Sequence, residues 1–184
     1  MASDGETRLV SEARQGSRAA FERLCRATGA GAYRLAYRLT GSHADAEDVL
    51  QEARLRAYRG IGSFDGRARF QTWFYRILVN AASSHGRHEG RRAAARIESI
   101  PEPMGEAAGD DPARVAEHSE LDGALQRGLE ALPIDQRSAL VLVAFQGFTY
   151  ADAAAVQGCP EGTLAWRVAE ARRKLTLELA PFLQ

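Results

Sequence analysis

Three groups of side chains in this sequence are of types and spacings that could do chemistry. The first lies in residues 68–85, ARFQTWFYRILVNAASSH. Arg69, Gln71, Thr72, Tyr75, Arg76, Asn80 and Ser84 fall outside its apolar stripe, and no carboxylate occurs from Arg67 to Arg87. A solvated helix face ordinarily mixes both signs of charge. Guanidinium groups, a ring and an amide without an acid suit an opened or single-stranded nucleic acid instead: arginine meets phosphate, rings stack on bases, and an amide reads a base edge. A cationic face that only keeps the protein soluble accounts for the same residues. The second group, Asp48, Gln51 and Glu52, makes a compact polar patch of the kind a protein partner uses. The third, Thr163, Arg167, Arg172, Arg173 and Lys174, gathers hydroxyl and cationic groups near the C-terminus. Catalysis has little support. His43, His85, His88 and His118 form no recognised ligand set, and Cys25 and Cys159 make no CxxC pair, so reduced structural thiols are expected.

The elements that must position these groups can be read in turn. Phe70, Trp73, Phe74, Ile77, Leu78 and Ala81 recur at helical spacing, which predicts an amphipathic helix over 68–85 with one buried face. Trp73 therefore has two available uses, core and base stacking. Upstream, SHADAEDVLQEARLRAYRG predicts a helix capped by Ser42, with Ala46, Val49, Leu50, Ala53 and Ala57 on one face. Acids early and arginines late complement the helix dipole at ~0.3–1 kcal/mol per charge, which leaves Gln51 unexplained. Between these helices Gly62, Ser63, Asp65 and Gly66 predict a turn that delivers Arg67 and Arg69 to the next helix. Residues 6–40 read as two or three short helices, interrupted at Gly16 and again at residues 29–31.

Beyond the first helix, residues 86–111 hold Gly86, Gly90, Pro101, Pro103, Gly105 and Gly109 with little apolar periodicity, the composition of an extended linker. Asp111 and Pro112 suit the start of a helix running to about Leu132. Pro133 opens another, whose apolar run at 139–145 belongs in a core. Gly147 stops it, Thr149 caps the short helix YADAAAVQ, Gly158 ends that, and Pro160 starts PEGTLAWRVAEARRKLTLELA. A short helix, a glycine turn and a longer basic helix form the helix-turn-helix layout. An ordinary helical hairpin in a bundle is the competing account.

A chain of 184 residues has room for one or two small domains. Its 24 basic and 24 acidic residues cancel, but they are segregated. Residues 65–96 carry seven Arg against Asp65 and Glu89, a balance of +5, while residues 98–120 carry seven acids against Arg114, a balance of −6. Such a chain presents distinct faces to distinct partners. No apolar run approaches the ~20 residues that span a bilayer. The segment MASDGETRLV lacks the basic and apolar regions of a secretory signal. A cytoplasmic protein with no membrane insertion is expected.

DAEDVLQEARLRAYRGIGSFDGRARFQTWFYRILVN resembles the second conserved region of the extracytoplasmic-function (ECF) sigma factors, the smallest members of the sigma-70 family of bacterial RNA polymerase. LEALPIDQRSALVLVAFQGFTYADAAAVQGCPEGTLAWRVAEARRKL resembles their fourth, in the right order and across a linker of the expected kind. The resemblance spans roughly residues 8–92 and 112–181. It implies an all-α fold of two small helical domains: a region 2-like unit at 1–92, an extended linker at 93–111 and a region 4-like helix-turn-helix unit at 112–184. It implies that Asp48, Gln51 and Glu52 dock on the coiled-coil clamp of core RNA polymerase. It implies that the loop from Phe64 through Arg67 to Arg69, followed by Trp73, Arg76 and Asn80, recognises and melts the −10 promoter element. Glu161, Gly162, Thr163, Arg167, Arg172 and Arg173 match the helix that reads the −35 element as duplex. Here the chain departs from the family, because Ala165 and Trp166 stand where many members carry a polar or basic pair.

The function so implied is promoter recognition and DNA opening by an alternative sigma factor, without catalysis, cofactor or metal of its own, and under the control of an anti-sigma factor. Two other classes remain: a stand-alone helix-turn-helix regulator that self-associates on paired half-sites, and a sigma mimic that sequesters an anti-sigma factor.

Overall fold

A computed structural model describes residues 4–93 and 112–180, with side chains at 4–87 and 121–180. The linker expected at 93–111 lies, but for Ala93, outside the described residues. Among the described residues every element is helical, with a 3-10 turn at Ile61–Ser63 and a π turn at Val141–Phe145 between the α-helices. In chain order they are α1 (Asp4–Arg14), α2 (Arg18–Thr40), α3 (His43–Gly60), α4 (Phe70–Ala93), α5 (Pro112–Glu130), α6 (Ile134–Leu140), α7 (Tyr150–Gln157) and α8 (Glu161–Leu179).

Local chemistry sets most of the boundaries. The Ser17 hydroxyl accepts from the Ala20 N–H to start α2, and the Ser42 hydroxyl accepts from the Asp45 N–H to start α3. Gly41, at φ 81°, closes α2 in the left-handed conformation and returns its N–H to the Tyr37 carbonyl. At α4 the cap comes from far away in sequence: the Glu6 carboxylate accepts from the Phe70 N–H at 2.6 Å. That contact ties α1 to the start of α4 and places a negative charge at a helix N-terminus, where the dipole favours it.

α2 is one helix of 23 residues, not the two short ones expected. Glycine in a helix interior costs about 1 kcal/mol relative to alanine, and tertiary contact outweighs it here. Gly31 is needed because a Cβ at that position would run into the Tyr75 hydroxyl. α4 likewise passes through Gly86, where the sequence suggested an end, and continues to Ala93.

Helices α1 to α4 bury Phe21, Leu24, Leu35, Ala36, Val49, Ala53, Phe70, Phe74 and Leu78. Helices α5 to α8 bury Leu129, Leu140, Leu142, Val156, Leu164 and Val168. The apolar run at 139–145 is buried through Leu142, as expected of a core segment, but Phe145 is exposed. From Val141 to Phe145 the chain leaves α geometry for a π-helical turn, with the Gln146 N–H bonded to the Val141 carbonyl at 3.1 Å.

Two arginines join these halves. Arg38 of α2 pairs with Asp122 of α5 at 2.6 Å, donates to the Gln126 side chain at 3.3 Å, and lies over the Phe145 ring. Arg137 of α6 reaches the ends of two helices at once. It donates to the Leu39 carbonyl in the last turn of α2 at 2.6 Å, and to the Glu130 and Leu132 carbonyls at the end of α5. Burial lowers its pKa from the ordinary arginine value, and the nearby Glu130 carboxylate opposes that shift. The guanidinium stays charged at neutral pH. Its positive charge meets the negative ends of two helix dipoles.

Hydrogen bonds to a charged group are worth ~1.5–3 kcal/mol each, and the freed carbonyls regain some water. Arg137→Ala is therefore expected to lower unfolding free energy by about 2–4 kcal/mol in denaturant titration. Arg137→Lys should recover less than half of the loss, since one ammonium cannot span both helix ends. Unchanged stability in Arg137→Ala would show that the two halves do not depend on this clamp.

Candidate nucleic-acid interface

The α3 surface presents Asp48 and Gln51 to solvent, with Glu52 half-buried and bonded to Arg56 at 2.6 Å. Leu55 and Tyr58 continue the same stripe at positions i+7 and i+10 from Asp48, and both are large apolar groups left exposed. The sequence reading passed over them. Their signal was the spacing, which sets them on the outward side of a helix whose inner face Ala46, Val49, Leu50, Ala53 and Ala57 already supply. A groove of about 590 Å³ runs beside them, lined in part by Phe21, Cys25, Gln51, Leu55 and Tyr58. Burial pushes the Cys25 thiol up to about 11, against the opposing pull of Arg54. The thiol is thus protonated at neutral pH and is no nucleophile.

The α4 surface begins at a tight turn. The Asp65 carboxylate accepts from the Arg67 N–H at 3.0 Å, and Gly66 adopts φ 74°. Arg67, Arg69, Arg76 and Asn80 are all exposed, as the nucleic-acid reading requires. Phe64 is not: its ring is only 3% exposed, against Trp73 at 4.9 Å and Phe70 at 6.3 Å between centroids. It shapes the loop from within. Trp73 is half-buried in the same aromatic cluster, so the indole is shared between the core and the surface.

Thr72 and Tyr75, expected on the open face, are buried. Tyr75 stacks on Phe148 at 5.4 Å, its hydroxyl lies 3.5 Å from the Gln146 amide oxygen, and Gly31 leaves the space it fills. α4 is covered on two sides, by its own bundle and by the C-terminal helices. The open face narrows to Arg69, Arg76 and Asn80 with Gln71 and Ser84 beside them.

The helix-turn-helix is formed as expected. The Thr149 hydroxyl accepts from the Asp152 N–H at 3.1 Å, Gly158 closes α7 at φ 65°, and Pro160 precedes α8. Leu164, Val168 and Ala171 pack inward. Glu161, Gly162 and Arg172 are exposed and Thr163 is half-buried. Arg173 is exposed but held by Glu170 at 2.8 Å. Arg167 is turned back into the fold, donating to Gln157 at 2.6 Å and pairing with Asp135 at 3.1 Å. It braces α7 against α8 rather than standing free. The Arg76 guanidinium of α4 lies against Gly158, so the α4 surface adjoins the turn of the helix-turn-helix.

Among the described residues no group of three or more His, Cys, Asp or Glu side chains is placed to hold a metal ion, and no helix is long and apolar enough to cross a membrane. Fold and surfaces together define an all-α protein of the helix-turn-helix class. Residues 24–92 match the family model for Sigma-70 region 2, and residues 122–175 match that for Sigma-70, region 4. The RNA polymerase sigma-H factor of Pseudomonas aeruginosa is 34% identical over 185 residues, covering 97% of this chain and 96% of its own. The ECF RNA polymerase sigma factor SigM of Mycobacterium tuberculosis is 39% identical over 160 residues, or 87% of this chain and 77% of that one. Among solved structures, the sigma factor RpoE of Bartonella quintana, in complex with the anti-sigma factor NepR, superposes with a TM-score of 0.70 at 29% identity, over 87% of this chain and 96% of that one. The chain belongs to the sigma-70 family, among its ECF sigma factors.

The Gly31–Tyr75 contact makes a test of how α4 is covered. Gly31→Ala should cost about 1–3 kcal/mol through overpacking. In a Tyr75→Phe background, which removes the opposing hydroxyl, the same substitution should cost less than half as much. Equal costs in both backgrounds, measured by denaturant unfolding, would mean that Tyr75 lies elsewhere.

Proposed function

We propose that the chain works through its three surfaces in succession. Asp48, Gln51 and Glu52 of α3, extended by Leu55 and Tyr58, dock on core RNA polymerase. The start of α8 meets the −35 element as duplex, through Glu161, Gly162, Thr163 and Arg172. Arg67 and Arg69 then hold backbone phosphates while Arg76 and Asn80 engage bases of the −10 element as they leave the stack. Removing a base from the stack costs a few kcal/mol, which a pocket and stacked rings offset. The single observation that carries this reading is the exposed face of α4, which carries Arg69, Arg76 and Asn80 with no acid from 67 to 87 and lies within the Sigma-70 region 2 match.

In this reading residues 1–92 form the polymerase- and −10-binding unit, 93–111 the linker and 112–184 the −35-binding unit. Phe64 and Arg167 support these surfaces from inside, and Trp73 is shared between core and surface. The protein acts in the cytoplasm and has no catalytic step of its own. The NepR complex of the Bartonella relative supports an anti-sigma partner for this chain also.

The test is reconstitution of the full chain with core polymerase on promoter fragments. Asp48→Ala is expected to weaken core binding about 3- to 10-fold, the ordinary cost of truncating an interface residue. Asn80→Ala should leave core binding within about twofold and reduce open-complex formation about tenfold, read by permanganate reactivity of unpaired thymines. Both residues are exposed, so folding should be unaffected. Absence of core binding and of transcript with the unaltered protein would sink the reading.

A further inference from the structure

Trp166 is the most conspicuous side chain that the surfaces above leave unused. It lies one turn and a half into α8 and is 61% exposed, while Leu164 and Val168 on the inner face of the same helix are buried to 0% and 1%. The core of the C-terminal unit does not need it. Its neighbours on the outer face are Gly162 at i−4, Thr163 at i−3, Ala169 at i+3 and Glu170 at i+4, the last drawn onto Arg173 at 2.8 Å and Lys174 at 3.7 Å. The indole therefore stands clear of the helix surface, on the helix that follows the turn of the helix-turn-helix.

An α-helix with side chains is ~10–12 Å across, and the major groove is ~12 Å wide. With Gly162 and Ala169 beside the indole, and the Glu170 charge answered by Arg173 and Lys174, such a helix can seat with the indole at the base edges. Farther along the helix Arg172 is exposed, which suits a polyanion flanking the contact, while Lys174 is held by Gln136 at 3.1 Å. An indole offers a broad apolar surface and one N–H donor, with no acceptor. Of the four bases only thymine presents an apolar group in the major groove, its C5-methyl, next to the O4 acceptor. Cytosine offers a donor there, against which the indole N–H has nothing to pair.

We propose that Trp166 is a specificity-determining residue of the −35 contact, and that its indole packs on the C5-methyl of one or two adjacent thymines in the major groove. This rests on the assignment of α8 to the −35 duplex. Trp166 then replaces the hydrogen-bonding pair that other family members present with an apolar contact. The selected sequence shifts toward thymine, without loss of the anchoring that Arg172 supplies.

The experiment uses holoenzyme reconstituted from the full chain and core polymerase. The preferred −35 sequence is first selected from promoter duplexes randomised in that region. Each thymine is then replaced by deoxyuridine, which lacks only the methyl. With the unaltered protein, one or two positions are expected to lose about 3- to 10-fold in affinity, the scale of a single good base contact. With Trp166→Ala the same replacements should change affinity less than about twofold, and reselection should lose the thymine preference there. Equal deoxyuridine sensitivity in both proteins overturns the proposal. So does a Trp166→Ala defect in core or protein-partner binding with −35 preference intact, which would make the indole a protein contact. If the unaltered holoenzyme shows no −35 preference at all, the assignment of α8 fails with it. If that preference persists and responds to Arg172→Ala but not to Trp166→Ala, only the role of Trp166 fails.

Discussion

One guanidinium meets the ends of two helices from different halves of the molecule. Arg137 satisfies a carbonyl of the last turn of α2 and two at the close of α5, groups that no intrahelical partner can reach. A cation removed from water is costly unless its hydrogen bonds are made; the two Nη groups meet backbone oxygens whose positions the helices fix, while the buried Nε makes no bond. The arrangement is therefore intolerant of small displacements. If α5 slides relative to α2, the fork loses one set of bonds. The Arg38–Asp122 ion pair and the stacked Tyr75 and Phe148 rings lie along the same boundary and add charge pairing and apolar contact to it.

The architecture concentrates demands on α4. Phe70, Phe74 and Leu78 serve the N-terminal core, Tyr75 serves the boundary with the C-terminal helices, and Arg76 and Asn80 remain for solvent and ligand. A helix covered on two sides has only a narrow strip left. That strip carries no acid, and its neighbour across the boundary is the glycine turn of the helix-turn-helix.

What the sequence revealed follows the range of the interactions. Caps made within a few residues were legible: Ser42 for α3, Thr149 for α7, Gly158 for the turn. So was the inner face of α3, because its period is set by one buried side. The Glu6 cap on α4 was not, since it joins groups 64 residues apart. Thr72 and Tyr75 were assigned to solvent because a single amphipathic period assumes one covered face, and α4 has two. Gly31 looked like a helix breaker, when its missing side chain is the space a tyrosine hydroxyl occupies. Arg167 matched a family position for DNA contact, yet Asp135 and Gln157 hold it, and no local pattern marks such long-range partners. Leu55 and Tyr58 are outward by spacing and Trp166 by its departure from the family, and burial adds that the core does without all three.

The π-helical turn at Val141–Phe145 gives the boundary a peculiar sensitivity. Such a turn is an α-helix carrying one residue more than its hydrogen-bond ladder needs. The wider turn absorbs that residue with its flanks kept in phase, whereas loss of one residue from the regular turns just before it would rotate everything that follows by about 100°. Phe145 would leave Arg38, and Gln146 and Phe148 would leave Tyr75, with none of the contacting side chains altered. The fit between the halves is thus recorded in the chain as a reading frame, and a one-codon deletion can erase it where many point substitutions would not.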